Sequence, residues 1–266
     1  MKTKYSSLFS LPYLIWSLIF IIVPMGLVVV FAFTTEGGQF TLDYVSQVGE
    51  YTNVLVRSVW LAAIATIICL LIGYPLAFIM SRMPGVQQRT MLMLIMLPMW
   101  MNFLLRTYAW MTILEKNGLL NKLFGLVGLG PFDMINTQGA VVLGMVYNYL
   151  PFMILPLYSI MTKIDNRTIE AAQDLGANTK NVFTRIVIPM SMPGISTGIT
   201  MVFVPSVSTF IISRMLGGGG NLLIGDLIDL QFLGNAYNPH LGSAISLVLM
   251  VLILLCMSIL NQFNSD

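Results

Sequence analysis

The sequence predicts an all-α membrane protein with six transmembrane helices. Of its 266 residues, 57% are apolar and only 9% are charged, and the mean hydropathy is +0.84. Soluble domains carry about 25% charged residues, so a water-soluble fold of this length would lack polar surface. The third observation is a series of apolar runs, each long enough to cross the hydrocarbon core, which takes about 20 residues.

These runs define the predicted spans, which we assign to a single transmembrane domain over residues 1–266. The first run has a basic start and is too long for a signal peptide, so we expect it to be a retained anchor. The later runs are separated by charged or Gly/Pro-rich segments. The six spans cover about residues 8–33, 58–80, 90–114, 139–161, 194–216 and 241–262.

The distribution of lysine and arginine predicts that both termini are cytoplasmic, because basic residues accumulate on the cytoplasmic side of membrane proteins. With the amino terminus inside, the inner segments contain more basic residues than the outer ones. The inner set is Lys2, Lys4, Arg82, Arg89, Lys163, Arg167, Lys180 and Arg185, and the outer set is Arg57, Arg106, Lys116, Lys122 and Arg214.

Two external segments are predicted to contain further helices. Residues 119–124 form a short apolar pattern before a Gly/Pro-rich turn. Residues 217–220 are four glycines, which predict a flexible break or hinge. The apolar pattern at residues 222–233 predicts either a partly buried external helix or a re-entrant segment.

The longest polar stretch, residues 163–189, predicts a cytoplasmic loop of two short helices. Thr168 is the predicted N-cap of the first helix, which places Glu170 in its first turn. Gly176 suits the left-handed residue after a helix, and Asn178 suits the N-cap of the second one. We expect Pro189 and Pro193 to break this second helix before the fifth span.

Small side chains on the first of these helices indicate what the loop contacts. Ala171, Ala172 and Leu175 are predicted to share one apolar face. The two alanines bury too little area to hold a helix in lipid, whereas small residues permit close approach of a protein backbone. We therefore expect a protein partner, and the alternative is an amphipathic helix on the membrane surface.

A family resemblance appears at these residues. The sequence has Glu170-Ala171-Ala172, then Gly176, then Ile186-Val187-Ile188-Pro189. This resembles the loop signature of ABC importer permeases, which is E-A-A, three residues, G, nine residues and I-x-L-P. Only the leucine differs, since Ile188 stands there. The resemblance implies a six-helix type I importer permease with a coupling helix that binds an ATPase, and the implied docking residues are Glu170, Ala171, Ala172, Asp174 and Gly176.

Further segments resemble the permeases of spermidine/putrescine importers, at residues 97–110, 147–159 and 219–233. This implies a path for polyamines delivered by an external binding protein. It also implies a bacterial inner-membrane complex with a homologous permease chain, as a heterodimer, and two ATPase subunits that bind ATP with magnesium. The alternatives are a permease for phosphate, sulfate, iron, amino acids or sugars, and a secondary transporter.

Enzymatic chemistry has little support in the sequence. It contains no nucleotide-binding P-loop, one histidine and two cysteines, both in apolar runs. We therefore expect a transport subunit without a metal or cofactor of its own, in contact with the bilayer and not with nucleic acid.

Polar and aromatic residues within the spans are the candidates for the translocation path. An arginine inside a span either reaches the outer headgroups, pairs with an external carboxylate, or faces the pore or a partner subunit. Aromatic rings bind alkylammonium groups by cation–π contact, although an interfacial belt or simple packing is the alternative. The candidates are Trp100, Asn102, Arg106, Tyr108, Tyr147 and Tyr149.

A pair of carboxylates follows the glycine run. Asp226 and Asp229 are three residues apart and share one helix face. At the external mouth they would attract a polycation, and the alternative is solvated surface charge.

Overall fold

The computed structural model describes residues 11–234 and 236–262, with side chains to residue 259. Residues 8–10 of the first predicted span, the basic residues Lys2 and Lys4 and both chain termini lie outside these described residues. The helices are α1 Leu11–Ala32, α2 Asp43–Gln47, α3 Thr52–Ser81, α4 Gly85–Met96, α5 Phe103–Leu114, α6 Leu119–Leu126, α7 Gln138–Met161, α8 Asn166–Asp174, α9 Thr179–Val207, α10 Ile211–Leu216, α11 Ile224–Leu233 and α12 Pro239–Gln262.

Five helical segments of the described chain are long and apolar enough to cross a membrane. They contain α1, α3, α7, α9 and α12. Two further helical segments, Gly85–Trp100 and Phe103–Leu126, form a bent pair. They supply a sixth span if the pair is counted as one. The short helix predicted at residues 119–124 is confirmed as α6.

The third predicted span is not one straight helix. After α4 the chain forms a 3₁₀ turn over Leu97–Trp100, and Met101 is extended. Asn102 then caps α5, its side-chain oxygen accepting from the Leu104 and Leu105 amides at 2.8 and 3.4 Å. The two segments meet at 88°. Pro98 lacks an amide hydrogen and Asn102 offers a new cap, so the helix ends and restarts within an apolar run.

The prediction that Pro189 and Pro193 break the helix before the fifth span is wrong. The chain is helical throughout Thr179–Val207, with a π-helical turn over Phe183–Val187 immediately before Pro189. Pro189 has no amide hydrogen and cannot donate the i→i−4 bond of an α-helix. The wider π-helical turn changes the hydrogen-bond pattern there, so that bond is not needed. Membrane helices also accommodate proline by such local adjustments. The predicted span to residue 216 is instead two helices, because α9 ends at Val207 and α10 is separate.

One compact unit contains Met1–Asn53 and Leu227–Leu254, as far as these residues are described. His240, at the start of α12, forms a hydrogen bond of 3.0 Å with the Phe31 carbonyl. Its ring packs edge-on against Phe31 and stacks on Tyr44, with centroids 5.3 and 5.4 Å apart. These contacts explain the single histidine of the sequence as a packing residue.

The other compact unit contains Val54–Asp226 and Leu255–Asp266, again as far as described. At its centre α7 packs along α9. Gly194 and Gly198 form a small-xxx-small pair on α9, which lets the two backbones approach closely. A Cβ on Gly198 would lie 2.6 Å from the Met153 sulfur, and one on Gly194 would lie 3.1 Å from the Pro156 carbonyl.

Candidate functional site

The predicted docking loop contains two capped helices. Asp165, not Thr168, is the N-cap of α8, and its side chain accepts from the Arg167 amide at 3.0 Å. Asp165 has an extended backbone at the point where a cap is needed, whereas Thr168 is already helical. Because the helix begins earlier than predicted, Glu170 lies beyond its first turn and gains little from the helix dipole.

The turn between the two helices is as predicted. Gly176 has a φ of +85°, a left-handed conformation that favours glycine. The Gly176 amide donates to the Gln173 carbonyl at 2.9 Å and the Ala177 amide to Ala172 at 3.0 Å, which is a Schellman motif. Asn178 caps the next helix by accepting from the Asn181 amide at 2.8 Å. The predictions for Gly176 and Asn178 are therefore confirmed.

The apolar residues of α8 divide between two faces. Ile169 and Ala172 pack inward against a small cluster built on Ile164, Val182 and Val187. Ala172 is consequently half-buried and does not share an outer face with Ala171 and Leu175, as the sequence suggested.

The outer face of α8 carries most of the predicted docking residues. Leu175 is 89% exposed and lies one turn after the exposed Ala171. The family resemblance did not include Leu175 among the docking residues, and its exposure is what distinguishes it. Glu170, Asp174 and Gly176 are exposed as well. This face offers one large apolar side chain, a small residue beside it and flanking carboxylates.

The loop is fastened to the end of α3 at both its entry and its exit. Arg82 donates to the Ile164 carbonyl at 2.9 Å and to the Asn166 side chain, and it lies over the Phe78 ring. Burial lowers the pKa of the Arg82 guanidinium, which nevertheless stays protonated at neutral pH. Phe183 packs edge-on against Tyr74 and Phe78, with each centroid 5.6 Å away. These contacts therefore join the loop to the end of α3.

The predicted path residues do not form one cluster. Trp100 and Tyr108 are exposed, while the Asn102 side chain is occupied by the cap of α5. Tyr147 contacts Trp110 edge-on, with centroids 5.4 Å apart. Tyr149 donates to the Pro205 carbonyl at 3.4 Å. Arg106 is buried on α5, with 8% of the residue exposed.

Asp226 was predicted to attract a polycation at the external mouth, with solvated surface charge as the alternative. Both interpretations need a carboxylate that reaches solvent, and both are wrong because its side chain is completely buried. Its Oδ2 accepts from the Leu223 amide at 2.8 Å, and its Oδ1 lies 3.8 Å from Nε of Arg214. Asp229 is half-buried and belongs to the other compact unit. Asp226 thus stabilises the start of α11 and cannot attract ligands from solution.

The glycine loop before Asp226 is a helix break, as predicted, but it is held in place. Gly218 has a φ of +63°, and the chain is helical again only as a short turn at Gly219–Asn221. Arg57 donates to the Gly220 carbonyl at 3.3 Å and also to the Leu222 carbonyl. Ser58 accepts from the Ile224 amide at 2.8 Å. The start of α3 therefore anchors this loop.

Replacing Asp226 by asparagine is expected to destabilise the protein by about 1–3 kcal/mol. Asparagine keeps one oxygen for the Leu223 amide, but its NH2 group replaces the second buried oxygen and faces Arg214. The ion pair is lost and a buried donor is left without an acceptor. Thermal unfolding in detergent or nanodiscs measures the effect. The matched control is Asp133→Asn, which removes an exposed ion pair with Lys116 and should change stability by less than about 1 kcal/mol. Equal effects of the two substitutions would contradict this account of Asp226.

Metal ligation has no structural support within residues 11–234 and 236–262, where no three histidine, cysteine or carboxylate side chains come together. Cys69 and Cys256 are free thiols. In the described part of the chain, the candidate functional residues lie in the docking loop and among the polar side chains buried between helices.

Comparison with known proteins places these features in context. Residues 70–265 match the family model described as binding-protein-dependent transport system inner membrane component. The chain is 40% identical to the spermidine/putrescine transport system permease protein PotB of Haemophilus influenzae, covering 94% of this chain and 90% of that protein. It is 37% identical to the Escherichia coli K12 protein of that name, covering 89% of each.

Solved structures share the fold. A bacterial alginate ABC transporter, in complex with alginate pentasaccharide-bound periplasmic protein, matches with a TM-score of 0.81 and 18% identity, covering 98% of this chain and 93% of that one. A second structure of a bacterial ABC transporter involved in import of alginate matches with a TM-score of 0.77 and 19% identity, covering 98% and 94%. At these identities the likeness concerns architecture alone.

Proposed function

The chain belongs to the family of binding-protein-dependent transport system inner membrane components, and we propose that it forms the translocation path for polyamines, such as spermidine and putrescine, in an ATP-driven importer. The observation that carries the substrate is the 40% identity to a spermidine/putrescine permease over 94% of this chain. The fold is that of a type I importer permease, and the chain is a transport subunit, not an enzyme.

The outer face of α8 supports a coupling role for the loop. We place Leu175 and Ala171 in a groove of a cytoplasmic ATPase, with Glu170 and Asp174 at the rim of the contact. Leucine in a pocket with polar residues around it has the usual anatomy of a protein interface. Magnesium and ATP bind to the two ATPase subunits and not to this chain.

The connections of the loop to α3 supply a route for movement. When ATP closes the ATPase pair, the docking loops of the two permease chains move together. Arg82 and Phe183 join the loop to α3, so the displacement rotates membrane helices as rigid bodies and opens the path outward. An external binding protein delivers the polyamine to the opposite side. In this arrangement both termini are cytoplasmic, in a bacterial inner membrane.

The substrate is compatible with the side chains near the α4–α5 break. Trp100 and Tyr108 expose aromatic rings, and each ring contributes about 0.5–2 kcal/mol to binding an alkylammonium group. Tyr147 adds a further ring beside Trp110. Several weak contacts of this kind suit a transported ligand, which must bind and then leave.

Transport in proteoliposomes tests the proposal. The full complex, with both permease chains, the ATPase and the binding protein, is expected to take up labelled spermidine or putrescine only when Mg-ATP reaches the ATPase side. Polyamine-loaded binding protein should raise ATP hydrolysis several-fold. Excess unlabelled spermidine should compete, whereas phosphate, sulfate and amino acids should not. Uptake without ATP, or stimulation by one of those other ligands alone, would contradict the proposed function.

A further inference from the structure

A buried cation without an anion lies next to the break in the third span. Arg106 is 8% exposed, and its Nε and Nη1 atoms are enclosed without a hydrogen-bond partner among the described residues. Its guanidinium lies 5.9 Å from the Phe103 ring centroid. Arginine does not deprotonate in proteins, so the charge persists, and a buried charge requires an anion or several acceptors.

The described carboxylates do not supply that anion. Asp133 pairs with Lys116, and Asp226 is engaged with Arg214 and the Leu223 amide. Asp165 caps α8, while Glu170 and Asp174 lie on the docking loop. The other described carboxylates are Glu36, Asp43, Glu50, Glu115 and Asp229. None of the ten forms an ion pair with Arg106. The Phe103 ring, whose centroid lies 5.9 Å from the guanidinium, offsets only part of the hydration free energy that Arg106 loses on burial.

The position of Arg106 limits what can reach it. It lies on the face of α5 that packs within its own unit, together with Thr107 and Leu114. The opposite side exposes Leu104, Leu105 and Tyr108. Nη2 is the guanidinium nitrogen that is not enclosed, and 8% of the residue is accessible. A carboxylate side chain can contact that one nitrogen, whereas a phospholipid headgroup is bulkier.

We infer that Arg106 binds an aspartate or glutamate from a membrane segment of a second, non-identical permease chain. This rests on the proposed function, which pairs two homologous permeases. A polyamine is not the ligand, because like charges repel. Pairing with a carboxylate also removes the arginine charge that would otherwise oppose the entry of a polycation beside the path.

A second copy of this chain would not satisfy Arg106 through the same segment. Gly85–Leu114 contains no aspartate or glutamate, so two copies in contact there would bring arginines together. Glu115 follows α5, nine positions after Arg106. At about 100° per residue, nine positions place two side chains on opposite faces of a helix. A homologous, non-identical chain avoids this clash, because its corresponding segment can carry the carboxylate that this segment lacks.

Copurification from cells that express the whole importer tests this inference. With the tag on this chain, Arg106→Glu is expected to lower the recovery of the second permease at least tenfold, because it places two carboxylates together. Arg106→Gln should lower recovery less. The control is Arg89→Glu, since Arg89 is exposed on α4 and should leave recovery unchanged. Size-exclusion profiles of each variant expressed alone show whether the chain itself still folds.

Rescue identifies the partner residue. In the Arg106→Glu background, each aspartate and glutamate in the predicted spans of the second permease is changed to lysine in turn. One such change is expected to restore recovery to within about twofold of wild type. Unchanged recovery in Arg106→Glu, or the loss of a bound anionic phospholipid in native mass spectrometry while recovery stays at the wild-type level, would overturn the inference. If the wild-type complex assembles without importing polyamines, the proposed function fails while the pairing still stands.

Discussion

Replacing Leu175 by aspartate is expected to abolish binding of the ATPase and therefore polyamine uptake. The side chain is 89% exposed in the isolated chain, so its loss should not affect folding. Full burial of a leucine in an interface contributes about 1.5–3 kcal/mol. Leu175→Ala should accordingly weaken ATPase binding about 10–100-fold, and aspartate should weaken it further because its carboxylate must lose water.

Titration of purified ATPase onto the permease pair in nanodiscs measures this affinity. Leu175→Met is the matched control, because methionine keeps the apolar volume and should bind the ATPase nearly as well as wild type. Glu170→Arg, on the same exposed surface, should lower ATPase stimulation and uptake without changing the fold. Wild-type ATPase affinity in Leu175→Asp would exclude this face of α8 as the docking surface.

Local signals in the sequence were sufficient for the turn of the docking loop. The hydrogen bonds of the turn at Gly176 and Asn178 join residues at most five positions apart, and such local contacts can be predicted from sequence. The faces of α8 were harder to assign. Ala172 turns inward because Val182 and Val187, on the following helix, come back to meet it, and no local pattern predicts that return.

The apolar runs predicted the existence of the spans but not their interruptions. A continuous run hides the break at Met101–Asn102, because hydropathy does not register a change of direction. Pro189 was expected to end a helix, and a π-helical turn accommodates it instead. Prolines mark breaks reliably only where no adjacent turn relieves them.

Burial of charge depends on contacts that are distant in sequence. Asp226 is buried next to Arg214 and the loop that Arg57 and Ser58 hold in place. Charge and spacing alone therefore predicted a carboxylate pair open to solvent. The roles of Trp100, Tyr108 and Tyr147 in the path remain predictions, since they depend on which ligand or neighbouring chain faces these rings.

Replacing Gly198 by valine is expected to disrupt the contact between α7 and α9 and to abolish uptake. Its Cβ would lie 2.6 Å from the Met153 sulfur and 3.3 Å from the Met153 carbonyl. The thioether can move away, but the carbonyl belongs to α7 and cannot move without the helix. Overpacking of this kind costs about 1–3 kcal/mol for a single added group, and the two extra methyls of valine should add to it.

Thermal unfolding and uptake of the variants measure this effect, and Met153 provides a way to separate its cause from general damage. Gly198→Ala should lower the unfolding temperature less than Gly198→Val. Met153→Ala should partly rescue Gly198→Ala, because removal of the thioether leaves room for one methyl. Such a rescue is a coupling energy between two residues in contact. The control is Gly125→Ala on α6, where a Cβ meets no atom within 4 Å and alanine favours the helix. If Gly198→Val unfolds at the wild-type temperature and imports normally, then close approach at Gly198 is not what holds α7 and α9 together.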